Sequence, residues 1–372
     1  MRILQVTRVF HPNIGGIEKH VEWLSQALVK RGHTVDVVTL NRSFADGSRY
    51  PDRDALGAVN VYRVPYVGSN RYPVAPGVLK FVAGHDVVHV HAIDFLADWM
   101  LATRPIHRRP VVLSTHGGFF HTDFAPRLKR AWFQSMTRML VSRVDRLLYT
   151  SDQDEERFRP ITDRGTIIRS AVDLGPWRTL KNAPANGAWV TTGRVDTHKG
   201  IANLLRTLAR VRDVDPDPFT VEIIGPDVIP GLMNDLTRFR DDLGLADRVH
   251  LRGKVPFDVM REAVRTAELG LFPSEYESFG LSVVEAMGAG VVPVCNDIRA
   301  FRYFVDEGNN GFIADYADPE RAAAVIIRAR ALGEGRAVVS DAARVTAEKY
   351  DWDNVVGEIE AAYQGVALPS NR

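Results

Sequence analysis

Three carboxylates surround a glycine-containing turn in the stretch PSEYESFGLSVVEAMGAGVVPV, residues 273–294. Glu277 and Glu285 are eight residues apart, too far for one helical face unless a turn intervenes, and the Ser-Phe-Gly segment ending at Gly280 supplies that turn. A helix beginning near Leu281 would point its free N–H groups at a ligand. Glu285 would then lie one turn inside the helix and reach a pair of ligand hydroxyl groups. An N-terminal helix cap is the alternative, but it leaves the loop carboxylate Glu277 unexplained.

Two cations follow an apolar run in TTGRVDTHKG, residues 191–200. Arg194 carries a planar guanidinium and Lys199 a flexible ammonium group, a combination that suits a diphosphate whose charge must be neutralised. Two solvated surface cations are the alternative interpretation. The glycines on either side, Gly193 and Gly200, favour a binding site.

A pair of glycines, Gly15 and Gly16, follows the first apolar run and opens a helical pattern. Glycines at such a point let backbone N–H groups approach an anion, with the helix dipole behind them. Their spacing is not the G-x-G-x-x-G of dinucleotide-binding proteins. An ordinary strand-to-helix turn is equally compatible with the pattern.

No metal site is expected from the spacing of acidic residues or histidines. Three Asp-x-Asp stretches that could suggest a divalent cation are interpreted as acids of turns or helix surfaces: Asp152/Asp154, Asp215/Asp217 and Asp351/Asp353. His89 and His91 alternate along a strand pattern, so they share one face and are predicted to be core histidines. The other histidines show no ligand spacing next to a second motif.

A basic segment covers residues 104–146, with nine Lys or Arg against two Asp. Its centre combines basic and aromatic residues: Arg127, Lys129, Arg130, Trp132 and Phe133. A basic helix with an apolar face can lie on an anionic membrane surface or bind a diphosphate-linked lipid. The alternative is a core-facing apolar stripe with a solvated basic side.

The elements that must position these residues are short apolar strands alternating with amphipathic helices, a pattern typical of parallel sheets. Five strand patterns precede residue 152: RILQVT, TVDVVTL, DVVHVHA, PVVLSTH and DRLLYTS. Five more follow a linker near 170–177: AWVTTGR, FTVEIIGP, VHLRGKV, LGLFPS and VVPVCND. The fold class is therefore predicted as α/β, with two doubly wound Rossmann-like units. Such sheets bind ligands at the carboxyl ends of their strands, so two facing units would form a cleft.

The predicted domains are residues 1–170, residues 174–349 and a final helix within 350–372 that packs back on the first domain. That last segment, YDWDNVVGEIEAAYQ, has one apolar side. A chain of 372 residues exceeds the usual size of a single core, which also favours two domains.

Composition excludes several classes of protein. The chain is 45% hydrophobic and 25% charged, as in soluble globular proteins, and its net charge of +1 gives no overall field for nucleic acid. The single cysteine, Cys295, excludes an internal disulfide and fits a buried structural thiol in a reducing compartment. We find no apolar run of 18 residues and no signal-peptide pattern, so we expect a cytoplasmic protein.

Taken together, the motifs resemble the retaining glycosyltransferases of family four. ESFGLSVVEAMGAGVVPV is similar to the E-x7-E signature of that family, and the early Gly-Gly, GRVDTHKG and NNGFIADYADPERAA follow in the family's order. These motifs cover nearly the whole chain. The resemblance implies the GT-B fold of two facing Rossmann-like domains and a nucleotide-sugar donor.

The resemblance assigns roles to the residues of the second domain. Arg194 and Lys199 would bind the donor's diphosphate, Glu285 its ribose and Glu277 the hydroxyls of its sugar. Backbone groups of three consecutive residues would complete the phosphate site: Phe279, Gly280 and Leu281. Cations and N–H groups would stabilise the charge that develops on the leaving diphosphate, so no metal or other cofactor would be required.

Other matches concern the base, the sugar and the first domain. Lys254 and Val255 match the loop beside the nucleotide base, and Gly15 and Gly16 would lie beside the phosphate from the other domain. His116 matches the histidine that contacts the transferred sugar. The family is described by same-face attack in which the donor's phosphate accepts the acceptor's proton, so His116 is expected to position the sugar.

The stretch LSTHGGFFHTDFAPRLK, residues 113–129, further resembles bacterial mannosyltransferases that extend diphosphopolyprenol-linked oligosaccharides for exopolysaccharide. This implies GDP-mannose as donor, a lipid-linked acceptor, an α-linked product and a peripheral place at the inner face of the cytoplasmic membrane. Two alternatives stay open: a UDP-sugar-dependent transferase with a soluble or lipid acceptor, and a non-catalytic nucleotide-sugar-binding protein. The intact set of cations and carboxylates favours an enzyme.

Overall fold

The computed structural model describes residues 1–13, 15–44, 46–70, 72–116, 133–168, 170–180, 182–277 and 279–367, with the backbone alone at Phe133 and Gln134. The chain divides into two units. Unit 1 comprises Met1–Ala171 and Trp352–Arg372, and unit 2 comprises Val172–Asp351.

Unit 1 contains an eight-stranded sheet in the order β10-β9-β8-β7-β1-β2-β4-β3 and a separate β5–β6 hairpin. All neighbours in the large sheet are parallel except β3 and β4. The strands are β1 (Arg2–Val6), β2 (Thr34–Leu40), β3 (Arg53–Leu56), β4 (Val59–Val64), β5 (Val67–Ser69), β6 (Tyr72–Val74), β7 (Val87–His91), β8 (Val111–Ser114), β9 (Arg146–Tyr149) and β10 (Gly165–Ile167).

The described helices of unit 1 lie mainly between these strands. They are α1 (Gly16–Lys30), α2 (Phe95–Ala102), α3 (Arg104–His107), α4 (Arg138–Val141) and α5 (Asp152–Phe158), with a 3₁₀ helix at Pro76–Phe81 and a π-helix at Phe133–Thr137. Apolar residues line one face of α1 at helical spacing, including Val21, Leu24 and Leu28, and these are buried.

Unit 2 contains a six-stranded parallel sheet in the order β13-β12-β11-β14-β15-β16. Its strands are β11 (Ala188–Thr192), β12 (Thr220–Ile224), β13 (Val249–Gly253), β14 (Leu269–Phe272), β15 (Val292–Asn296) and β16 (Phe312–Ala314). Its helices are α6 (Gly175–Arg178), α7 (Ile201–Val214), α8 (Leu232–Asp242), α9 (Phe257–Thr266), α10 (Leu281–Ala289), α11 (Arg299–Arg302), α12 (Pro319–Arg330) and α13 (Gly335–Glu348), with a 3₁₀ helix at Thr197–Lys199.

Each sheet is buried on both faces, which explains the continuous apolar runs of its central strands. In unit 1, Leu4 of β1 belongs to the core on one face and Ile3 to the core on the other. In unit 2, Trp189 of β11 and Val190 divide between two cores in the same way. The α/β class with Rossmann-like sheets is therefore confirmed.

The last helix, α14 (Trp352–Val366), belongs to unit 1. It packs on α1, and its buried residues Trp352, Val355 and Tyr363 join the same core as Val21 of α1. The helix thus follows all of unit 2 in sequence and completes the core of unit 1.

Several single-residue expectations can be compared with this fold. Cys295 is buried in β15, as expected for a structural thiol. His89 and His91 are buried in β7, also as expected. The surface interpretation is wrong for Asp154 and Asp351: both are buried, because Thr115 and Thr150 donate to Asp154, and Arg178 pairs with Asp351.

The basic segment is described only in part. Arg127, Lys129, Arg130 and Trp132 lie outside the described residues, and only the backbone of Phe133 is described. Among the described residues that follow, Met136 and Met139 are exposed and Leu140 is buried. No described helix is both long and apolar enough to cross a membrane.

Candidate active site

A tight turn after β11 fixes the position of Lys199 in unit 2. Asp196 accepts a hydrogen bond from the backbone N–H of His198 at 2.8 Å and so caps the short 3₁₀ helix that contains Lys199. Gly200 ends that helix with φ of +64°, and a Cβ placed there would lie 2.2 Å from the carbonyl oxygen of Pro273. Only glycine fits this position, so the turn packs directly against the loop that carries Glu277.

Lys199 and Glu277 are in direct contact. Nζ of Lys199 donates to Oε1 of Glu277, and the hydroxyl of Ser274 donates to the same oxygen at 3.1 Å. The two charged side chains are 18% and 16% exposed, so solvent screens the pair only in part. Asn296, at the end of β15, donates to the carbonyl oxygen of Ser274 at 3.1 Å and holds the loop against the sheet.

Helix α10 begins at Leu281, as the sequence predicts. Gly280 precedes it with φ of +107°, and a Cβ there would meet the ring of Phe301 at 2.7 Å. Gly280 has no side chain to act as a cap, so the N-cap residue leaves the first N–H groups of α10 without a side-chain acceptor. A Cβ on Gly193 would lie 3.7 Å from Nζ of Lys199 and 3.8 Å from Oγ of Ser282.

These groups line a small pocket at the carboxyl ends of β11 and β14. Its walls include Thr192, Gly193, Arg194, Lys199, Ser274 and Ser282. An ammonium group paired with Glu277, a guanidinium on the rim, hydroxyls and a helix N-terminus converge there, and together they provide hydrogen-bond donors for an anion. The arrangement is suited to phosphate.

The structure places the remaining predicted residues of unit 2 as follows. Glu285 lies in α10 about one turn from its start and is partly buried, whereas Arg194 and Lys254 are exposed. Val255 packs partly against the core. Phe279 is buried, and its ring centroid lies 5.6 Å from that of Phe304 and 5.2 Å from that of Tyr350. Its ring therefore supports the loop, while its backbone remains the candidate for ligand binding.

In unit 1, His20 brings together two motifs that the sequence treats separately. Gly15 is the extended N-cap residue of α1, and Gly16 begins the helix with open space where a Cβ would lie. His20 follows one turn later, and its ring centroid lies 4.8 Å from that of His116. His116 follows β8 and has φ of +46°, a left-handed conformation that is uncommon for histidine.

His20, His91 and His116 form a cluster whose ring nitrogens lie within 4.8 Å of one another. This spacing is compatible with a metal ion, but Nδ1 of His91 lies 3.0 Å from Nε2 of His116, an ordinary hydrogen-bond distance. The sequence pattern did not reveal the cluster, because its members come from a helix and from two strand ends.

Burial keeps these histidines neutral. It lowers the pKa of His20 to about 4, and the pKa values of His91 and His116 lie well below 6.5, with neighbouring histidines adding to the effect of burial. A neutral imidazole has one donor and one acceptor nitrogen. His116 is therefore suited to hydrogen bonding with a hydroxyl group, as expected for a positioning residue, and not to acting as a cation.

Comparison with known proteins places both units in one family. Residues 14–175 match the description "Glycosyltransferase Family 4", and residues 187–331 match "Glycosyl transferases group 1". A GDP-mannose:cellobiosyl-diphosphopolyprenol alpha-mannosyltransferase of Xanthomonas oryzae pv. oryzae is 34% identical over 376 residues, covering 99% of this chain and 98% of that protein. A protein of the same name from Komagataeibacter xylinus is 30% identical, covering 99% and 95%.

Solved structures agree on the fold. A glycosyltransferase from Rickettsia africae superposes with a TM-score of 0.77 at 15% identity, covering 99% of both chains. Anabaena HepE in complex with UDP gives a TM-score of 0.74 at 19% identity, covering 98% of this chain and 100% of that chain. Identities this low establish the fold alone, which is GT-B. With two family descriptions matched across both units and relatives above 30% identity over nearly its full length, this chain belongs to glycosyltransferase family 4.

Proposed function

We propose that this enzyme is a retaining α-mannosyltransferase that moves mannose from GDP-mannose to a diphosphopolyprenol-linked oligosaccharide in bacterial exopolysaccharide synthesis. The observation that carries the proposal is the 34% identity, over nearly the whole of both chains, to enzymes whose names state this donor and this acceptor class. The cations and hydroxyls that line the pocket of unit 2 are the groups that the diphosphate of such a donor requires.

In this proposal the donor's diphosphate binds at the pocket where Lys199, Arg194 and the N-terminus of α10 converge. Negative charge grows on that diphosphate as the glycosidic bond breaks, so these groups stabilise the transition state more than the bound donor. Glu277 accepts hydrogen bonds from the sugar's hydroxyls while Lys199 holds its carboxylate, and Glu285 binds the ribose. Lys254 and Val255 flank the base.

His116 positions the mannose, and Gly15 and Gly16 at the start of α1 bind beside the phosphate. Burial lowers the pKa of His116, which makes it a weak base, and no carboxylate nucleophile is assigned. In this scheme the acceptor's proton therefore goes to the leaving phosphate as the acceptor attacks the same face. No metal ion takes part in this scheme.

The enzyme is further proposed to act at the inner face of the cytoplasmic membrane as a peripheral protein. The relatives' names specify a diphosphopolyprenol acceptor, which is a membrane lipid. The exposed Met136 and Met139, beside the exposed Arg138 and Arg143, offer apolar and cationic contacts of the kind a membrane surface binds.

A nucleotide-release assay tests the proposal. The purified enzyme is given GDP-mannose, GDP-glucose, UDP-glucose or UDP-N-acetylglucosamine, each with and without cellobiosyl-diphosphopolyprenol, and each with and without EDTA. We expect acceptor-dependent release of GDP from GDP-mannose that EDTA does not reduce. Faster release of UDP from a UDP-sugar would replace this donor assignment, and loss of activity in EDTA would contradict the metal-free scheme.

A further inference from the structure

We infer that Gln5, His91 and Tyr363 are positioning residues that hold His116 as a single tautomer, with its proton on Nε2 and its Nδ1 left as a hydrogen-bond acceptor. That this acceptor binds a hydroxyl of the transferred sugar rests on the proposed function. The tautomer itself follows from a continuous chain of hydrogen bonds within unit 1, between the C-terminal helix α14 and the end of β8.

The orientation of the Gln5 amide in the structure gives the chain of hydrogen bonds its direction, because one end of the amide donates and the other accepts. Its amide nitrogen donates to the hydroxyl of Tyr363 at 3.3 Å, and its carbonyl oxygen lies 2.7 Å from Nε2 of His91. A carbonyl oxygen can only accept, so Nε2 of His91 carries the proton. His91 is neutral, which leaves its Nδ1 without a proton.

The unprotonated Nδ1 of His91 determines the tautomer of His116. Nδ1 of His91 lies 3.0 Å from Nε2 of His116, so Nε2 of His116 must be the donor. His116 is neutral as well, and its Nδ1 is therefore an acceptor. Within the part of the chain that the structure describes, this Nδ1 has no hydrogen-bond partner, so it is available to a hydroxyl group.

The hydrogen bonds beyond Tyr363, at His89 and Ser114, are consistent with the same direction. The hydroxyl of Tyr363 accepts from Gln5, and its own proton is free to be donated to Nδ1 of His89, at 2.6 Å. His89 then donates from Nε2 to the hydroxyl of Ser114, at 2.8 Å. Burial raises the pKa of Tyr363 well above 10, so its hydroxyl keeps its proton. Gln5, His89 and His91 are each at most 1% exposed, so water cannot easily replace a lost partner.

This arrangement predicts a specific chemical preference. His116 accepts a hydrogen bond from a sugar hydroxyl instead of donating one to it. Each bond in the chain of hydrogen bonds pairs one donor with one acceptor, so reversing a single bond would place two donors or two acceptors against each other at buried positions. The reversed tautomer of His116 would require all the bonds to reverse and the amide of Gln5 to flip.

The test combines ¹⁵N-histidine NMR with kinetics on the full-length enzyme. The signals of His116 are assigned by their loss in His116→Gln. In the wild type we expect the Nε2–H tautomer at pH 7.5. Gln5→Leu removes the acceptor for His91 and should give His116 mixed tautomers, with a fall in kcat of about tenfold or more and a GDP Kd within about twofold, because the nucleotide pocket lies in unit 2.

Two further variants keep the inference falsifiable if Gln5→Leu is unstable. Gln5→Glu retains an acceptor for His91 and should restore the Nε2–H tautomer, and Gln26→Leu is a matched control on α1 that should change neither readout. An Nδ1–H tautomer in the wild type, or an unchanged tautomer in Gln5→Leu, would overturn the assignment. Mixed tautomers with undiminished kcat would overturn the positioning role. The NMR result does not depend on which sugar is transferred, so it fails or succeeds separately from the proposed function.

Discussion

Lys199 is the residue on which the proposed chemistry depends most. It contacts Glu277, and both are held in place by neighbours: Gly200 packs on Pro273, and Ser274 donates to Glu277. The ammonium group is thus oriented before any phosphate arrives, and such preorganisation is what makes electrostatic stabilisation of a transition state effective.

We expect Lys199→Ala to lower kcat by about 100-fold or more while weakening GDP binding much less, because the charge that Lys199 meets grows as the bond breaks. Steady-state kinetics with GDP-mannose and calorimetric titration with GDP measure the two effects. Lys349→Ala, at an exposed lysine of unit 2, is the control. Equal losses in affinity and rate would show instead that Lys199 stabilises the bound donor as much as the transition state.

At the residue scale, the sequence identified the site residues that lie in short motifs. It missed the residues that the fold brings together from distant parts of the chain. Lys199 and Glu277 were both candidates, and the structure brings them into contact. Gln5, His20 and Tyr363 were not candidates for function. Gln5 is a single polar residue within an apolar strand pattern, and His20 and Tyr363 lie in amphipathic helix patterns, so nothing local distinguishes them. Tyr363 also follows Gln5 by more than three hundred residues.

The turn between β11 and α7 is the element that connects fold to chemistry, and its geometry yields a prediction about stability. Gly200→Ala should destabilise the protein by more than about 2 kcal/mol, because it combines a left-handed conformation with a Cβ 2.2 Å from the carbonyl oxygen of Pro273. It should also lower kcat by displacing Lys199.

Gly231→Ala is the matched control for this turn. Gly231 has a similar conformation, φ of +88°, but a Cβ there would have nothing within 4 Å. Its cost should be about 1 kcal/mol, with no effect on kcat. Urea unfolding of both variants provides the comparison, and equal costs would show that the contact with Pro273 is unimportant.

His20 of α1 packs against His91 at the end of β7 and His116 after β8, and its burial there makes stability depend on pH. The pKa of His20 is about 4 in the folded protein and 6.5 ordinarily, because burial disfavours its charged form. Below pH 6.5 the unfolded chain binds a proton that the folded chain does not, so stability present above that pH is lost as the pH falls toward 4.

Between pH 7 and pH 5.5, His20 alone should therefore reduce the free energy of unfolding by about 1 kcal/mol. His20→Gln should remove that share of the pH dependence, as measured by urea unfolding at the two pH values. His198→Gln, at an exposed histidine, serves as the control. An identical pH dependence in wild type and His20→Gln would contradict the effect of burial on His20.

At the element scale, the sequence located the central strands better than the edges. All ten strand patterns named from sequence correspond to strands in the structure, because central parallel strands are continuous apolar runs. Six strands in the described part of the chain were not named from sequence. β3 and β5 are mostly or wholly exposed, and β6, β10 and β16 are only three residues long. β4 was missed although it lies inside the sheet and its first five residues alternate between buried and less buried. Short or exposed strands at a sheet edge lack the hydrophobic period on which recognition depends.

In the whole molecule the chain builds most of unit 1, then all of unit 2, and returns to unit 1 with its last helix. The sequence indicated a break between residues 170 and 174, and the structure divides between Ala171 and Val172. The apolar side of the final segment was visible in sequence, and α14 uses it to pack on α1. Which groups of unit 1 would meet α14, above all Gln5 and His89, was not predictable without the fold.

Membrane association is a property of the whole molecule that can be tested with vesicles containing anionic lipid. Binding should weaken with salt, since surface charges are screened beyond about 10 Å at roughly 0.1 M. Replacing Arg127, Lys129 and Arg130 together by Ser should weaken binding by about 100-fold, at on the order of 1 kcal/mol per cation, and leave GDP binding unchanged.

Replacing Met136 and Met139 by Ser should weaken vesicle binding as well, because both are exposed apolar side chains. The control changes three exposed arginines of unit 2 to Ser: Arg238, Arg302 and Arg321. If the wild type ignores anionic vesicles at low salt, or if binding survives the triple change in the basic segment, that segment is a solvated surface.

The configuration of the product decides whether the enzyme is a retaining mannosyltransferase. The enzyme is incubated with GDP-mannose and cellobiosyl-diphosphopolyprenol, the glycan is released, and the one-bond carbon–proton coupling at the new anomeric centre is measured by NMR. A retaining family 4 mannosyltransferase must give a single new mannose in α-linkage, the configuration it has in GDP-mannose. A β-linked mannose, or another sugar transferred in preference from its own nucleotide donor, would contradict the account.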